Sequence, residues 1–139
     1  MINVKVQKLH EDAKLPHKAS EGAAAFDIYA HSIENKGSYL VYGTGLAFEV
    51  PEGHVLKLYP RSSVCKKGLL LHNSVGIIDS DYRGEVKVVF YRTPGSNAYG
   101  KDERIAQIIL EKIPEVCYNV SDSLSTTKRD SGGFGSTGQ

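Results

Sequence analysis

The sequence predicts an all-β fold, either a sandwich or a barrel. Short segments rich in β-branched and aromatic residues recur along the chain, separated by Gly, Pro, Asn or Asp. Helical periodicity is ambiguous in one segment only, and no internal repeat is visible. A chain of 139 residues has the length of one domain with its own core.

The strands are predicted in chain order. Ile2, Val4 and Val6 alternate with polar residues, and further strands are predicted at YLVY (39–42), LAFEV (46–50), VLKLY (55–59), LLL (69–71) and VKVVFYR (86–92). ERIAQIILEKI (103–113) has isoleucines at helical spacing, but its centre also fits a buried strand that ends before Pro114, and we predict a strand. SSVCKKG (62–68) predicts one short helical turn, and HNSVGIIDSDYRGEV (72–86) predicts a hairpin.

The composition changes near Asn119, where the chain becomes polar, small and rich in glycine. This change predicts one domain over residues 1–118 and a flexible arm over 119–139. The sixteen residues from Leu124 onward can extend roughly 50 Å, whereas a globule of this size is roughly 35 Å wide. The arm is therefore long enough to reach a neighbouring subunit.

Charge and hydropathy exclude several classes of protein. The formal net charge is +1, which gives no general affinity for nucleic acid or for a membrane surface. No segment approaches the ~20 apolar residues of a membrane span, and the N-terminus lacks the features of a signal peptide. We therefore expect a soluble, cytoplasmic protein. Cys65 and Cys117 form no metal motif, and we expect both to be buried structural thiols.

Two segments resemble a nucleotide-binding motif and a calcium-binding motif, but both motifs are incomplete. GSNAYGKD (95–102) nearly matches a phosphate-binding P-loop, but Asp102 stands where a Ser or Thr should hold magnesium. DSDYRG, from Asp79, resembles the start of a calcium loop, but Phe90 occupies the position of the bidentate Glu. A glycine-rich turn is the better interpretation of the first motif, and the second motif fails.

Other polar groups suit the binding of phosphates or of a nucleobase. Asp27, within AAAFDIYA, can hold the water shell of a magnesium ion, and Arg61, within YPRSS, can bind a phosphate. The Asn73 amide combines donor and acceptors, as the edge of a base requires. Each of these residues, taken alone, also fits a structural role in a turn or cap.

Taken together and in order, these segments resemble one family. AAAFDIYA, PRSS, GIIDSDYRGEV, DERIAQIIL and RDSGGFGSTG are similar to the five successive motifs of the trimeric dUTPases, over residues 23–138. The resemblance implies a jelly-roll-like β-barrel that forms a homotrimer, with active sites at subunit interfaces and the glycine-rich C-terminal arm closing them. It implies hydrolysis of dUTP to dUMP and pyrophosphate with Mg²⁺.

The resemblance also implies roles for individual residues. Asp79 would be the catalytic base, and Asp27 would hold Mg²⁺ through water. The base and the sugar would be bound by Asn73, Gly76, Ile78, Tyr82 and Phe134. The phosphates would be bound by Arg61, Ser62, Ser63, Arg104, Gln107, Arg129, Gly135, Ser136 and Thr137.

The match has departures, and rival functions follow from them. Ser63 stands where family members often have Gly, and Asp102-Glu103 replaces a common Gly-Asp pair. The RSS triplet also occurs in dCTP deaminases, which resemble dUTPases in fold. A dCTP deaminase therefore remains an alternative. A P-loop nucleotidase, suggested by the partial motif at 95–102, and a nucleotide-sensing or partner-binding protein with slow turnover also remain alternatives.

Overall fold

The structure, a computed structural model, describes residues 1–135, and its regular secondary structure is almost wholly β-strand. Within these residues the strands are β1 (Lys5–Lys8), β2 (Phe26–Tyr29), β3 (Ser32–Asn35), β4 (Tyr39–Glu49), β5 (His54–Pro60), β6 (Leu69–Leu71), β7 (Gly76–Ile78), β8 (Glu85–Arg92) and β9 (Arg104–Lys112), and a 3₁₀ helix spans Ser62–Lys67. The strand prediction for 103–113 and the short helical turn are both confirmed.

The strands form two antiparallel sheets that pack face to face. The first sheet has the order β1-β4-β8-β6, with β3 also paired to β4, and the second has the order β2-β9-β5-β7. Neighbours in a sheet are mostly distant in sequence, as in a jelly roll. The predicted all-β, jelly-roll-like class is confirmed, and the described strands form two separate sheets rather than one closed ring.

The core lies between the two sheets. On β8, Val86, Val88 and Phe90 are buried while Lys87 and Tyr91 are exposed, which is the period of two expected for a strand with one buried face. The largest fully buried side chains are Tyr42, Phe90, Ile28, Leu40, Leu46, Leu69, Ile105, Val88 and Thr44. Both sheets contribute to this cluster, so their apolar faces are covered together.

One strand is longer than the sequence predicts. YLVY and LAFEV, predicted as separate strands, form the single strand β4, whose pairing with β8 shifts register between Gly43 and Ala47. Gly45 has a φ of 68° and allows this irregularity without the steric conflict that a side chain would meet. The glycines that suggested a break therefore mark a bulge within the strand.

The predicted hairpin over 72–86 is wrong in its pairing. β7 pairs with β5 in the second sheet, whereas β8 pairs with β4 and β6 in the first. Ile78 and Val86 are both buried between the sheets, so the connection between them crosses from one sheet to the other. Periodicity indicates two adjacent strands but does not indicate which sheet each of them joins.

The prediction of buried cysteines is also wrong. Cys65 and Cys117 are free and exposed. Cys65 lies on the 3₁₀ helix, which has no buried residue because it lies on the surface beside the end of β5, and Cys117 follows the last strand. The two thiols do not form a disulfide.

The chain leaves the second sheet after Lys112. Residues 113–135 contain neither helix nor strand, and most of their side chains are exposed. The proposed boundary between residues 118 and 119 and the flexibility of the arm remain predictions. Among the described residues, no helix is long and apolar enough to span a membrane.

Candidate active site

A cluster of charged side chains lies at one end of the second sheet. Asp27 faces Gln107 across β2 and β9, and its side chain is almost buried. Arg61 Nε donates to Asp27 Oδ1 at 2.9 Å, and Arg104 Nη1 donates to Oδ2 at 3.0 Å. One carboxylate therefore holds two guanidinium groups side by side, a spacing suited to a chain of phosphates.

The Arg61 side chain is fixed by further contacts. Its Nη1 donates to Ser63 Oγ at 3.3 Å and to the Arg104 carbonyl oxygen at 3.2 Å. Gln107, whose Nε2 donates to the Pro60 carbonyl at 3.0 Å, holds the strand end from which Arg61 projects. Because these contacts order the guanidinium before ligand binds, less conformational entropy remains to be lost on binding.

Ser63 connects this cluster to Tyr99, which lies in the 95–102 loop and which the sequence analysis did not assign to the site. The hydroxyl groups of Ser63 and Tyr99 lie 3.5 Å apart, and the Tyr42 hydroxyl accepts from Tyr99 N at 2.9 Å. Burial raises the pKa of Tyr42, which keeps this hydroxyl protonated. Tyr99, the single aromatic residue within the rejected P-loop motif, was the available signal.

The same loop is attached to the 3₁₀ helix. Lys67 Nζ lies 3.4 Å from Glu103 Oε2 and 4.7 Å from the centroid of the Tyr99 ring. The backbone N–H of Gly100 donates to the Glu103 carboxylate, and this hydrogen bond, together with Lys67, lowers the pKa of Glu103. The loop before Arg104 is thereby held against the segment that carries Ser62 and Ser63.

A second group of predicted residues lines a cavity of about 300 Å³ between β7 and β8. This volume is at the small end of the range typical of ligand pockets. The predicted residues that line it are Asn73, Gly76, Ile78, Asp79 and Tyr82. Leu58, Glu85, Lys87 and Val88 are among the lining residues that sequence reasoning missed, because they reach the cavity from other strands.

The turn that carries Asp79 and Tyr82 is closed by hydrogen bonds to its own backbone carbonyl groups. Tyr82 N donates to the Asp79 carbonyl at 3.2 Å, and the Tyr82 hydroxyl donates to the Glu85 carbonyl at 3.1 Å. Arg83 Nη1 donates to the Ser80 carbonyl at 2.7 Å. These contacts hold the Asp79 carboxylate and the Tyr82 ring at the same mouth of the cavity.

The charged cluster and the cavity are far apart within one chain. Asp27 is on β2 and Gly76 on β7, the two edges of a four-stranded sheet. Three strand spacings and about four residues along the strand direction separate Asp27 from Asp79, a distance of roughly 20 Å. A carboxylate acting as a base must lie within hydrogen-bond reach of its target, directly or through one water. Asp27 and Asp79 of one chain are therefore too far apart to contact the same water or phosphate group.

The arm residues lie outside both groups. Arg129 Nε donates to the Gly132 carbonyl at 2.8 Å, and the Phe134 ring is fully exposed. Gly135 follows with a φ of 86°. Ser136 and Thr137, predicted to bind phosphates, lie outside the described residues.

The side chains of the charged cluster can hold Mg²⁺ only indirectly, through water molecules. Among residues 1–135, no group of three or more His, Cys, Asp or Glu side chains is placed to hold a metal ion. Both Asp27 oxygens accept from arginine, and each keeps a second lone pair that can accept from a water. The cluster therefore fits an ion that is held by phosphate oxygens and waters.

We expect Asp27→Asn to destabilise the protein. The amide would turn an N–H₂ donor toward one of the two arginines, so that a donor faces a donor. Hydrogen bonds to charged groups contribute about 1.5–3 kcal/mol each, and screening of the half-exposed Arg104 reduces the sum. We expect a loss of about 1–3 kcal/mol in the free energy of unfolding, measured by urea denaturation.

Asp12→Asn is the matched control, because the carboxylate of Asp12 also binds a cation, Lys101 at 2.9 Å, but does so at the surface. Exposed ion pairs contribute little to stability, so its unfolding curve should nearly overlay that of the wild type. Equal curves for the two variants would contradict a structural role for the Asp27 cluster.

The fold and the two groups define a class of protein. Two antiparallel sheets carry a phosphate-suited pair of arginines and a small cavity lined by an amide, a carboxylate and an aromatic ring. These are the features of a nucleotide-binding β protein of the jelly-roll type.

Comparison with known proteins identifies the family. The model of the dUTPase family matches residues 11–138. The deoxyuridine 5'-triphosphate nucleotidohydrolase of Nautilia profundicola is 39% identical, over 99% of this chain and 100% of that protein. The chain therefore belongs to the dUTPase family.

Solved structures show the same fold. The Staphylococcus bacteriophage 80alpha dUTPase with dUpNHpp matches with a TM-score of 0.84 at 24% identity, covering 100% of both chains. A mutant dUTPase from phage phi11 of S. aureus, described as coordinating a structural Mg(II) ion, matches with a TM-score of 0.72 at 20% identity. The latter match covers 88% of this chain and 98% of that chain.

Proposed function

We propose that this protein hydrolyses dUTP to dUMP and pyrophosphate, which keeps uracil out of DNA and supplies dUMP for thymidylate synthesis. The observation that carries the proposal is that Asn73, Asp79 and Tyr82 line one cavity of about 300 Å³ in a chain of the dUTPase family. The relative from Nautilia profundicola bears the name of this activity.

In this proposal the cavity binds uracil and deoxyribose. The Asn73 amide offers a donor and acceptors to the edge of the base. A Cβ at Gly76 would lie 3.1 Å from Leu58 Cβ, so the glycine keeps the β7 backbone close to β5 and leaves the cavity open. Tyr82 lies under the sugar, and Ile78 contributes an apolar wall.

Asp79 acts as the base. It orients a water molecule and removes its proton as the water attacks the α-phosphorus, and the bond to the bridging oxygen of pyrophosphate breaks. General-base catalysis contributes about 10²–10⁴-fold. Asp79 is exposed at the cavity mouth, where a phosphate and a water can both reach it.

The charged cluster binds the phosphates. Arg61 and Arg104 stabilise the charge that moves onto the leaving pyrophosphate, and Ser62, Ser63 and Gln107 add hydrogen-bond donors. Asp27 orders the two arginines and would accept hydrogen bonds from water molecules around a bound Mg²⁺ ion. When bound, Mg²⁺ neutralises part of the charge of the triphosphate.

A complete site then requires more than one copy of the chain. The roughly 20 Å between Asp27 and Asp79 of one chain supports pairing the cavity of one subunit with the charged cluster of another. A homotrimer with three equivalent sites at its interfaces satisfies this requirement by rotational symmetry. The arm then brings Arg129, Phe134, Gly135, Ser136 and Thr137 from the third subunit.

One assay separates this function from its rivals. The protein is incubated with each deoxynucleoside triphosphate, with UTP and with ATP in the presence of Mg²⁺, and the products are identified. Pyrophosphate from dUTP alone supports the proposal. Ammonia from dCTP would indicate a deaminase, orthophosphate from ATP would indicate a P-loop nucleotidase, and tight binding without turnover would indicate a sensor.

The cytoplasmic location of the protein remains a prediction.

We expect the wild-type protein to reject UTP. A 2′-hydroxyl on the sugar would meet the Tyr82 ring, which is held by its hydrogen bond to the Glu85 carbonyl. Because the added group clashes and leaves polar groups unpaired, the ratio of kcat/KM for dUTP to that for UTP should be about 10⁴ or more. Steady-state kinetics with both nucleotides measures this ratio, and comparable values would contradict the role given to Tyr82.

A further inference from the structure

The Tyr82 ring lies so close to Gly84 that it leaves no room for a side chain at position 84. A Cβ on Gly84 would overlap the Tyr82 hydroxyl oxygen, and it would lie 2.6 Å from Cζ and 3.0 Å from Cε2. All three atoms belong to the far end of the ring. The ring therefore occupies the space that a side chain at position 84 would need.

The φ angle of Gly84 does not require a glycine. It lies outside the left-handed region, unlike those of Gly37, Gly45 and Gly53. The φ angle at position 84 is therefore not one reserved for glycine. The steric conflict with Tyr82 is the reason in this structure for the absence of a side chain.

The position of the ring depends on the backbone around Gly84. The Tyr82 hydroxyl donates to the carbonyl of Glu85, the next residue after Gly84. The Glu85 carboxylate in turn accepts from Gly45 N at 2.9 Å, at the bulge of β4. The ring thus packs against Gly84 and is hydrogen-bonded to a segment that the first sheet holds in place.

We propose that Gly84 is a positioning residue that sets the discrimination between deoxyribonucleotide and ribonucleotide. It acts through Tyr82, because its bare Cα lets the ring lie flat under the sugar. With a Cβ present, the ring swings outward, its bond to the Glu85 carbonyl breaks, and space opens for a 2′-hydroxyl. Tyr82 is about half exposed, so the ring can move without disturbing the core. This inference rests on the proposed function.

The test is Gly84→Ala, measured by kcat/KM for dUTP and for UTP. The ratio of the two should fall by about tenfold or more, since the clash that excludes the hydroxyl is relieved. Gly22→Ala is the matched control, because a Cβ at Gly22 meets nothing within 4 Å. Its ratio should equal that of the wild type. An unchanged ratio in Gly84→Ala would overturn the proposal.

A double-mutant cycle distinguishes positioning from general damage. In a Tyr82→Ala background there is no ring to displace, so Gly84→Ala should change the ratio by less than about twofold. An equal further loss in that background would show that Gly84 acts independently of Tyr82. If Gly84→Ala alone fails to fold, the double variant should still fold, because it has no ring to clash with the new Cβ. Failure of the double variant to fold would also overturn the proposal.

A crystal structure of Gly84→Ala separates this inference from the proposed activity. The Tyr82 hydroxyl should have left the Glu85 carbonyl, whatever reaction the protein catalyses. A ring that stays in place would overturn the inference even if the wild type hydrolyses dUTP. Conversely, a displaced ring in a protein that releases no pyrophosphate from dUTP would contradict the proposed function alone.

Discussion

Replacing Asp79 with asparagine is expected to lower kcat for dUTP hydrolysis by about 10²–10⁴-fold, the contribution typical of general-base catalysis. Asparagine keeps the shape of the side chain and its place at the mouth of the cavity, but it cannot take a proton from water near neutral pH. Binding should change little, because the bonds that close this turn are made by the backbone of Asp79 and by Tyr82. Release of pyrophosphate under saturating dUTP measures kcat, and titration with a non-hydrolysable analogue measures affinity.

Asp81→Asn is the matched control for this experiment. Asp81 is an exposed carboxylate two residues away, and it does not line the cavity. Its removal changes the net charge of the turn by the same amount, so it tests whether charge alone explains a loss. We expect less than a tenfold effect on kcat. A variant Asp79→Asn that keeps more than a tenth of the wild-type kcat would contradict the assignment of the base.

The strands that could be predicted are those whose pattern is local. Buried and exposed residues alternate along β8, and this period of two is visible in consecutive residues of the sequence. The pairing of β7 with β5 is not local, because it depends on Ile78 facing a core to which the opposite sheet contributes. The exposure of Cys65 has the same origin, since it depends on where the 3₁₀ helix lies against the rest of the fold.

The candidate site likewise contains residues that the sequence indicated and residues that it did not. Asp27 and Arg61 were indicated by their chemistry and Arg104 by the family resemblance, and the structure brings the three together through strand register. Tyr99 and Gly84 were missed because the sequence assigns neither of them a direct role toward a ligand. Each contacts a residue that has such a role in the proposed site, and these contacts are visible only in three dimensions.

Truncation after Lys128 is expected to leave a folded protein with little activity. The removed segment has one large apolar side chain, Phe134, which is fully exposed and buries nothing within its own chain. The loss of Arg129 removes a charged hydrogen bond to phosphate of about 1.5–3 kcal/mol, and the loss of Phe134 removes base stacking of about 1–3 kcal/mol. Together these effects predict a fall in kcat/KM of about two orders of magnitude or more.

The loss should appear mainly in kcat rather than in ground-state affinity. Ordering a glycine-rich arm costs roughly 1–2 kcal/mol per residue, which offsets much of what its contacts contribute to binding. If the arm closes fully only as charge develops on the phosphates, its contacts stabilise the transition state more than the bound substrate. Comparing kcat with the dissociation constant of a non-hydrolysable analogue separates the two effects. Removal of Gln139 alone is the control and should change neither.

Limited proteolysis gives an independent measure of the same closure. Cleavage between Ser131 and Gly135 should be fast in the free protein and slower with Mg²⁺ and the analogue, because an arm ordered over ligand is a poorer protease substrate. Equal cleavage in both conditions, or full activity after truncation, would contradict a closing arm. A truncated chain that does not fold would give the arm a different role, as a structural contact between subunits. The thermal unfolding midpoint of the truncated protein distinguishes that role from closure over the substrate, since only a structural contact would lower it in the absence of ligand.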